Sequence, residues 1–169
     1  MAGCLPEYMP VLEAAASAMQ EGMFNLFGMQ TTTHPCALLV IVHGEVADRI
    51  GMNSGAGCFG PGNRANATIG RSLQLVVRNV GGGRPGEVDR ATLGHPGKYT
   101  FCFAETELDP SLGWPTQAAE HGIESGASAV TLFAAEGVRG LVDQISRTPE
   151  SLTRHFAAVL RTVASPKLA

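Results

Sequence analysis

The chain has 169 residues, of which 44% are hydrophobic and 16% charged, and its formal net charge is −3. This length suits one domain with a substantial core, and the negative charge argues against a general nucleic-acid binder. The chain shows no apolar run of membrane-spanning length and no basic-then-apolar leader, so we expect a cytoplasmic protein that has no membrane partner.

The first half of the chain predicts two long helices around one strand. Pro6 opens a helix that reaches about residue 20, and the apolar run 37–42 predicts a buried strand. A short helical turn and a glycine-rich loop at residues 51–62 follow. The next helix, residues 64–80, carries apolar side chains at helical spacing and ends at a run of three glycines.

The second half predicts two further strands and a C-terminal helix. Residues 84–98 form a turn-rich loop whose length suggests a function. Strands are expected at residues 99–105 and 127–134, and a helix begins near Pro149. This pattern predicts one domain, residues 1–169, of the α/β or α+β class. It has a small sheet of about three or more strands packed with at least four helices.

Three cysteines lie in segments rich in glycine and proline: Cys4, Cys58 and Cys102. Such segments let a backbone approach a ligand, a metal or another thiol closely. Cys58 is the strongest catalytic candidate, because its loop leads into a helix whose N-terminal amides lower a thiol pKa. The alternative is a tight turn that needs its glycines and merely contains a small apolar residue.

Three thiolates from separate loops suit two kinds of metal site. Cys4, Cys58 and Cys102 can hold a four-iron cluster with one open iron, as in cluster-dependent dehydratases. Together with His34 or His95 they can instead hold zinc. Both interpretations require that the sulfurs converge and that something holds the N-terminus in place. Thiol redox or nucleophilic chemistry needs one or two of the cysteines.

Residues suited to acid–base chemistry surround Cys102. His95 and Glu105 can serve as general bases, and Lys98 can stabilise a developing anion. The predicted catalytic set is therefore Cys58, His95, Lys98 and Glu105. Alternation along a strand places Cys102 and Glu105 on opposite faces.

The start of the long helix at residues 64–80 is the predicted substrate site. Asn63, Arg64 and Asn66 are expected to bind an anionic group there. Arg71 and Arg78 continue the seven-residue spacing of Arg64. They lie opposite the apolar stripe, however, and are expected on a solvated or partner-facing side.

Four stretches carry a family resemblance: Ala-Gly-Cys-Leu-Pro-Glu-Tyr at residues 2–8, Thr-His-Pro at 33–35, residues 53–71 and residues 94–105. Over most of residues 1–136 the chain resembles a largely uncharacterised family of bacterial proteins, some of them associated with thiols or selenoproteins. The resemblance implies no particular reaction. Similar proteins are longer, which implies that this chain is one half of a split protein working with a second, different subunit. Residues 106–114 depart from the family pattern.

These observations predict a subunit of a heteromeric enzyme with a cysteine-based site. Its most concrete form is an iron–sulfur or metal-dependent lyase or hydro-lyase that acts on a small anionic organic substrate. One alternative is a metal-free thiol oxidoreductase that uses Cys58. A second alternative is a non-catalytic regulatory or assembly subunit whose cysteines pack in the core.

Overall fold

The computed structural model describes residues 1–106 and 109–163. The chain divides into two compact units, Met1–Gly137 and Val138–Ala169. The first unit contains all three strands of the described chain. The second contains one long helix and the turn that precedes it.

A three-stranded mixed sheet forms the centre of the first unit. Its strands are β1 (Ala37–His43), β2 (Cys102–Ala104) and β3 (Ala129–Ala135), in the order β2-β1-β3. Strand β1 runs parallel to β2 and antiparallel to β3. The sheet and its helices confirm the α/β or α+β class.

The described residues contain six α-helices, of which the first five belong to the first unit and the last to the second: α1 (Met9–Ala18), α2 (Leu26–Thr31), α3 (Glu45–Arg49), α4 (Arg64–Asn79), α5 (Gln117–Glu120) and α6 (Pro149–Val163). Short 3₁₀ turns add to them: Pro6–Tyr8, Gly22–Phe24, Pro96–Lys98 and Pro110–Leu112. None of the described helices is long and apolar enough to cross a membrane.

The core lies on one face of the sheet. Leu38, Val40 and Val42 alternate along β1 and are buried in one hydrophobic cluster with side chains of α1 and α4. From α4, Ile69 and Leu73 lie one turn apart on the inner side and are also buried. The apolar stripe predicted from the sequence is therefore the face of α4 that packs on the sheet.

Helix α4 comes very close to β2 at Gly70. A Cβ atom at this position would lie 2.6 Å from Thr100 Oγ1 and 2.8 Å from the backbone nitrogen of Phe101. Thr100 Oγ1 also donates to the carbonyl oxygen of Ala67 at 2.7 Å. This close approach requires a residue without a side chain at position 70.

The opposite face of the sheet is covered near β2 and partly open near β3. Ile41 pairs in register with Phe103 and with Thr131, which places these three side chains on this face. Phe59 from the glycine-rich loop packs on Phe103, with 5.1 Å between ring centroids. Phe133 of β3 is 42% exposed.

Three element boundaries differ from the sequence prediction. The first helix begins as a 3₁₀ turn and ends at Ala18, and the third strand lies at residues 129–135. The second strand begins at Cys102, not at Tyr99. Lys98 and Tyr99 donate their backbone N–H groups to His95 and Pro96, which keeps this segment in a turn.

Candidate functional site

The asparagines around the glycine-rich loop bind the loop itself. Asn63 Nδ2 donates to the carbonyl oxygen of Gly57 at 2.7 Å. Asn66, which is buried in the first turn of α4, donates to the carbonyl oxygens of Asn53 and Cys58 at 2.8 and 3.0 Å. Asn63 and Asn66 were predicted to hold a substrate, but the structure uses their amide groups to fix the backbone around Cys58.

Cys58 lies on this loop with its side chain partly exposed. The chain makes a further turn between Cys58 and α4, which begins at Arg64, and Asn63 provides no side-chain cap for the helix. Cys58 therefore lies on a braced loop before the helix and not in the first turn of α4.

Helix α4 also holds the N-terminal segment. Arg64 Nε donates to the carbonyl oxygen of Gly3 at 3.0 Å, and Cys4 Sγ lies 3.2 Å from Ser72 Oγ. Arg64, predicted to bind an anion, thus contacts the backbone next to Cys4. These two contacts hold the segment around Cys4 against α4.

Cys102 lies in the core and is 3% exposed. Burial raises the pKa of its thiol far above the usual range, and the neighbouring Cys4 raises it further. Glu105 lies on the other face of the sheet, as strand alternation predicts. Burial also raises the pKa of Cys36, and Glu136 adds to this effect while Lys98 opposes it.

The cysteines do not form a shared ligand set in the described chain. Within residues 1–106 and 109–163, no group of three or more His, Cys, Asp or Glu side chains is placed to hold a metal ion. Cys4 lies near Cys102, but in the described residues these two cysteines and Cys58 do not converge as a ligand set, with or without His34 or His95. Their arrangement in the described residues does not fit a shared iron–sulfur cluster or zinc ion.

Glu105 is part of a hydrogen-bond chain that the sequence did not indicate. Its Oε2 lies 2.7 Å from His43 Nδ1, and His43 Nε2 lies 2.8 Å from Thr131 Oγ1. Glu105 Oε1 accepts from the backbone N–H of Gln117 at 2.6 Å. His43 is 2% exposed, at the end of β1, and Glu105 directly follows β2. The carboxyl ends of parallel strands are a common place for functional groups.

A cleft of about 410 Å³ lies at the other end of α4. Its walls are the second half of α4 and the long segment that joins α4 to β2. Arg71, Gln74 and Arg78 line it from the helix, and His95, Lys98 and others line it from the loop. This volume falls in the range of small-molecule sites.

His95 and Lys98, two members of the predicted catalytic set, line the cleft and already form hydrogen bonds within the protein. His95 Nδ1 accepts from the N–H of Gly97 at 3.0 Å, and its Nε2 lies 3.3 Å from the carbonyl oxygen of Ala135. Lys98 Nζ contacts Asp89 Oδ1 at 3.0 Å and the carbonyl oxygen of Cys36 at 3.1 Å. His95 therefore has no free ring nitrogen in this conformation, while Lys98 keeps one N–H donor.

The cleft carries an excess of positive charge. Arg71, Arg78 and Lys98 line it together with one carboxylate, Asp89. Neither guanidinium forms an ion pair with a carboxylate in the described part of the chain. Between the two arginines, Gln74 is 9% exposed and its Nε2 has no hydrogen-bond partner among the described residues. These donors are suited to an anion.

Sequence reasoning placed Arg71 and Arg78 on a solvated or partner-facing side, whereas the structure places them in the cleft. They lie away from the apolar stripe, as predicted, but the loop after α4 folds back beside them. Two signals in the sequence pointed to this cleft: the seven-residue spacing of Arg64, Arg71 and Arg78, and the unusual length of the loop at residues 84–98.

Comparisons of the chain with protein-family models, with curated proteins and with solved structures found no match. Function is therefore inferred from the side chains themselves.

Proposed function

We propose that the protein binds a small organic anion in the cleft between the second half of α4 and the loop that precedes β2. One observation carries the proposal: two arginines without carboxylate partners in the described chain line a cleft of about 410 Å³. Guanidinium groups present planar pairs of donors that match carboxylate and phosphate oxygens.

The spacing of the helical residues favours an elongated ligand. Arg71, Gln74 and Arg78 lie at positions i, i+3 and i+7, so they follow one side of α4 over two turns. At a rise of about 1.5 Å per residue, the two arginine Cα atoms are about 10 Å apart along the axis. A dicarboxylate can therefore use both arginines, with a ligand oxygen between them accepting from Gln74.

The buried amide of Gln74 supports a polar ligand over an apolar one. A buried amide without a partner costs about 1–3 kcal/mol, and a ligand oxygen that accepts from Nε2 removes this cost. Lys98 contributes its remaining N–H donor from the opposite wall, while Asp89 holds the ammonium group in place.

The cysteine-based hypotheses receive less support from the geometry. Cys102 is buried, Cys4 is bound to α4, and Cys58 lies on the loop before α4. A lyase or hydro-lyase with a cysteine-held cluster needs three converging sulfurs, and a thiol oxidoreductase needs Cys58 alone. The positively charged cleft supports one element of the lyase hypothesis, namely that the ligand is a small anion.

Isothermal titration calorimetry of the full chain with succinate, glutarate, acetate and inorganic phosphate tests the proposal. We expect at least one of the dianions to bind, more tightly than acetate and more weakly at high salt. The double variant R71Q/R78Q should bind that anion at least about tenfold more weakly, since each charge-assisted hydrogen bond contributes about 1.5–3 kcal/mol.

The matched control is R90Q, because Arg90 is an exposed arginine of the same loop that does not line the cleft. R90Q should bind as the parent chain does. Absence of binding by all four anions, or equal binding by the parent chain and R71Q/R78Q, would contradict the proposal.

A further inference from the structure

The chain Thr131–His43–Glu105 lies apart from the cleft and has the connectivity of a catalytic triad. A hydroxyl, an imidazole and a carboxylate are joined in that order by contacts of 2.8 and 2.7 Å. Nucleophile–base–acid chains of acyl-transfer enzymes have this order, and they occur on unrelated folds. They are therefore identified by geometry and not by sequence position.

The partners of His43 determine its tautomer. An ionised Glu105 carboxylate only accepts, so His43 Nδ1 carries the hydrogen that it shares with Oε2. His43 Nε2 then has a free lone pair and accepts from the hydroxyl of Thr131. This is the tautomer that a general base needs in order to take a proton from a nucleophile.

The carboxylate is itself held in orientation. Backbone N–H groups of Gln117 and Ala118 donate to Oε1 and Oε2 of Glu105, at 2.6 and 3.4 Å. Both oxygens are therefore fixed before His43 is engaged. A carboxylate fixed in this way orients the imidazole and stabilises the imidazolium that forms during proton transfer.

The surroundings of Thr131 indicate the class of substrate. Thr131 is partly exposed, and it shares its face of the sheet with Ile41, Phe103 and Phe133. The open part of this apolar surface is on the β3 side, where Phe133 is 42% exposed, because Phe59 covers Phe103. An apolar acyl chain can lie on this surface with its carbonyl carbon next to Thr131 Oγ1.

We propose that Thr131, His43 and Glu105 catalyse hydrolysis of carboxylic esters with an apolar acyl group. Thr131 Oγ1 forms a bond to the carbonyl carbon while its proton passes to His43 Nε2. The bond to the leaving oxygen breaks, and that oxygen takes the proton from Nε2, which releases an alcohol and leaves acyl-Thr131. Water then attacks the acyl carbon, gives one proton to Nε2, and frees the acid as Thr131 Oγ1 regains that proton.

The test uses the full chain with 4-nitrophenyl acetate and 4-nitrophenyl butyrate. We expect release of 4-nitrophenolate at a rate above that in buffer alone. The ratio of the butyrate rate to the acetate rate should be higher with the protein than in buffer. Mass spectrometry should detect an acyl adduct on Thr131. T131V and E105Q should lower the rate by about 10³-fold or more, while T131S should retain activity within about tenfold.

The control is T33V, because Thr33 is an exposed threonine that precedes β1, at the end of that strand opposite to His43. It should behave as the parent chain does, and circular dichroism confirms that each variant is folded. A parent rate equal to the buffer rate would overturn the proposal. An adduct on another residue, or a T131V rate equal to that of the parent, would show that the chain of hydrogen bonds serves packing alone. Neither result affects anion binding in the cleft.

Discussion

The guanidinium of Arg71 lies over the ring of Tyr99, with Cζ 3.9 Å from the ring centroid. The ring belongs to the loop wall of the cleft and the arginine to its helical wall, so this contact joins the two walls. It also restricts a long side chain, which lowers the entropy that a ligand must remove on binding.

Removal of the ring should weaken anion binding without removing charge. Ordering a long side chain on binding costs about 0.5–1.5 kcal/mol, so Y99L, which frees Arg71, should raise the Kd of the bound anion about two- to tenfold. Y99F keeps the π face and should bind within twofold of the parent chain. Titration calorimetry measures both, and a Y99L value equal to that of Y99F would contradict the assigned role of the ring.

Loss of the Arg64 anchor should release the N-terminal segment. R64A removes the hydrogen bond to Gly3, and the amide of Tyr8, which donates to Leu5 in the adjoining turn, should then exchange faster in hydrogen-exchange measurements. The thiol of Cys4 should also react faster with a thiol reagent. R78A, on the same helix but far from Gly3, is the control and should change neither measurement; unchanged exchange in R64A would refute the anchor.

The four thiols should differ strongly in reactivity. Only a thiolate attacks an alkylating reagent, and burial raises the pKa of Cys102, so its thiolate fraction at neutral pH is very small. Cys58 is partly exposed. Alkylation of the native chain with iodoacetamide, followed by peptide mass spectrometry, should modify Cys102 at least about tenfold more slowly than Cys58. Equal rates in native protein would contradict this, whereas equal rates after denaturation are expected.

The turn before α6 should lose stability at acidic pH. Asp143 accepts from Ser146 and His155, and these hydrogen bonds lower the pKa of its carboxyl below the ordinary value. A lowered folded-state pKa stabilises the folded form above the unfolded-state pKa, and this contribution disappears as the pH falls below about 4.

Hydrogen-exchange protection of the amides of Ile145 and Ser146 measures this effect. Protection should be full at neutral pH, fall as the pH decreases below 4, and be low at every pH in D143N. D109N is the matched control, because Asp109 accepts from Ser111 in a separate turn. Protection in D143N equal to that of the parent chain would refute the role of Asp143.

The sequence predicted the elements whose signals are local. Strand β1 is a continuous apolar run, and α4 has a clear stripe and a glycine stop, so both were placed to within about one residue. Strand β2 was predicted too long. The hydrogen bonds that keep Tyr99 in a turn compete with strand formation, and the alternation of apolar and polar residues from Tyr99 onward gives no sign of them.

The candidate sites were harder to predict, because they depend on contacts between distant residues. His43 meets Glu105 across 62 positions and Thr131 across 88, and no local pattern marks such a pair. Asn63 and Asn66 have the right chemistry for a ligand, but the same amides also satisfy a glycine-rich backbone. Glu105 was predicted to take part in catalysis, and its assignment there stays a prediction.

Gly70 makes one helix position matter to two separate parts of the molecule. Helix α4 is about 24 Å long, and it approaches the segment leading into β2 most closely at this residue, where a side chain is excluded. Asn66, before this point, holds the backbone of the Cys58 loop, and Arg71 and Arg78, after it, line the cleft. A larger residue at position 70 would push the helix away from the sheet and would therefore disturb the loop and the cleft together.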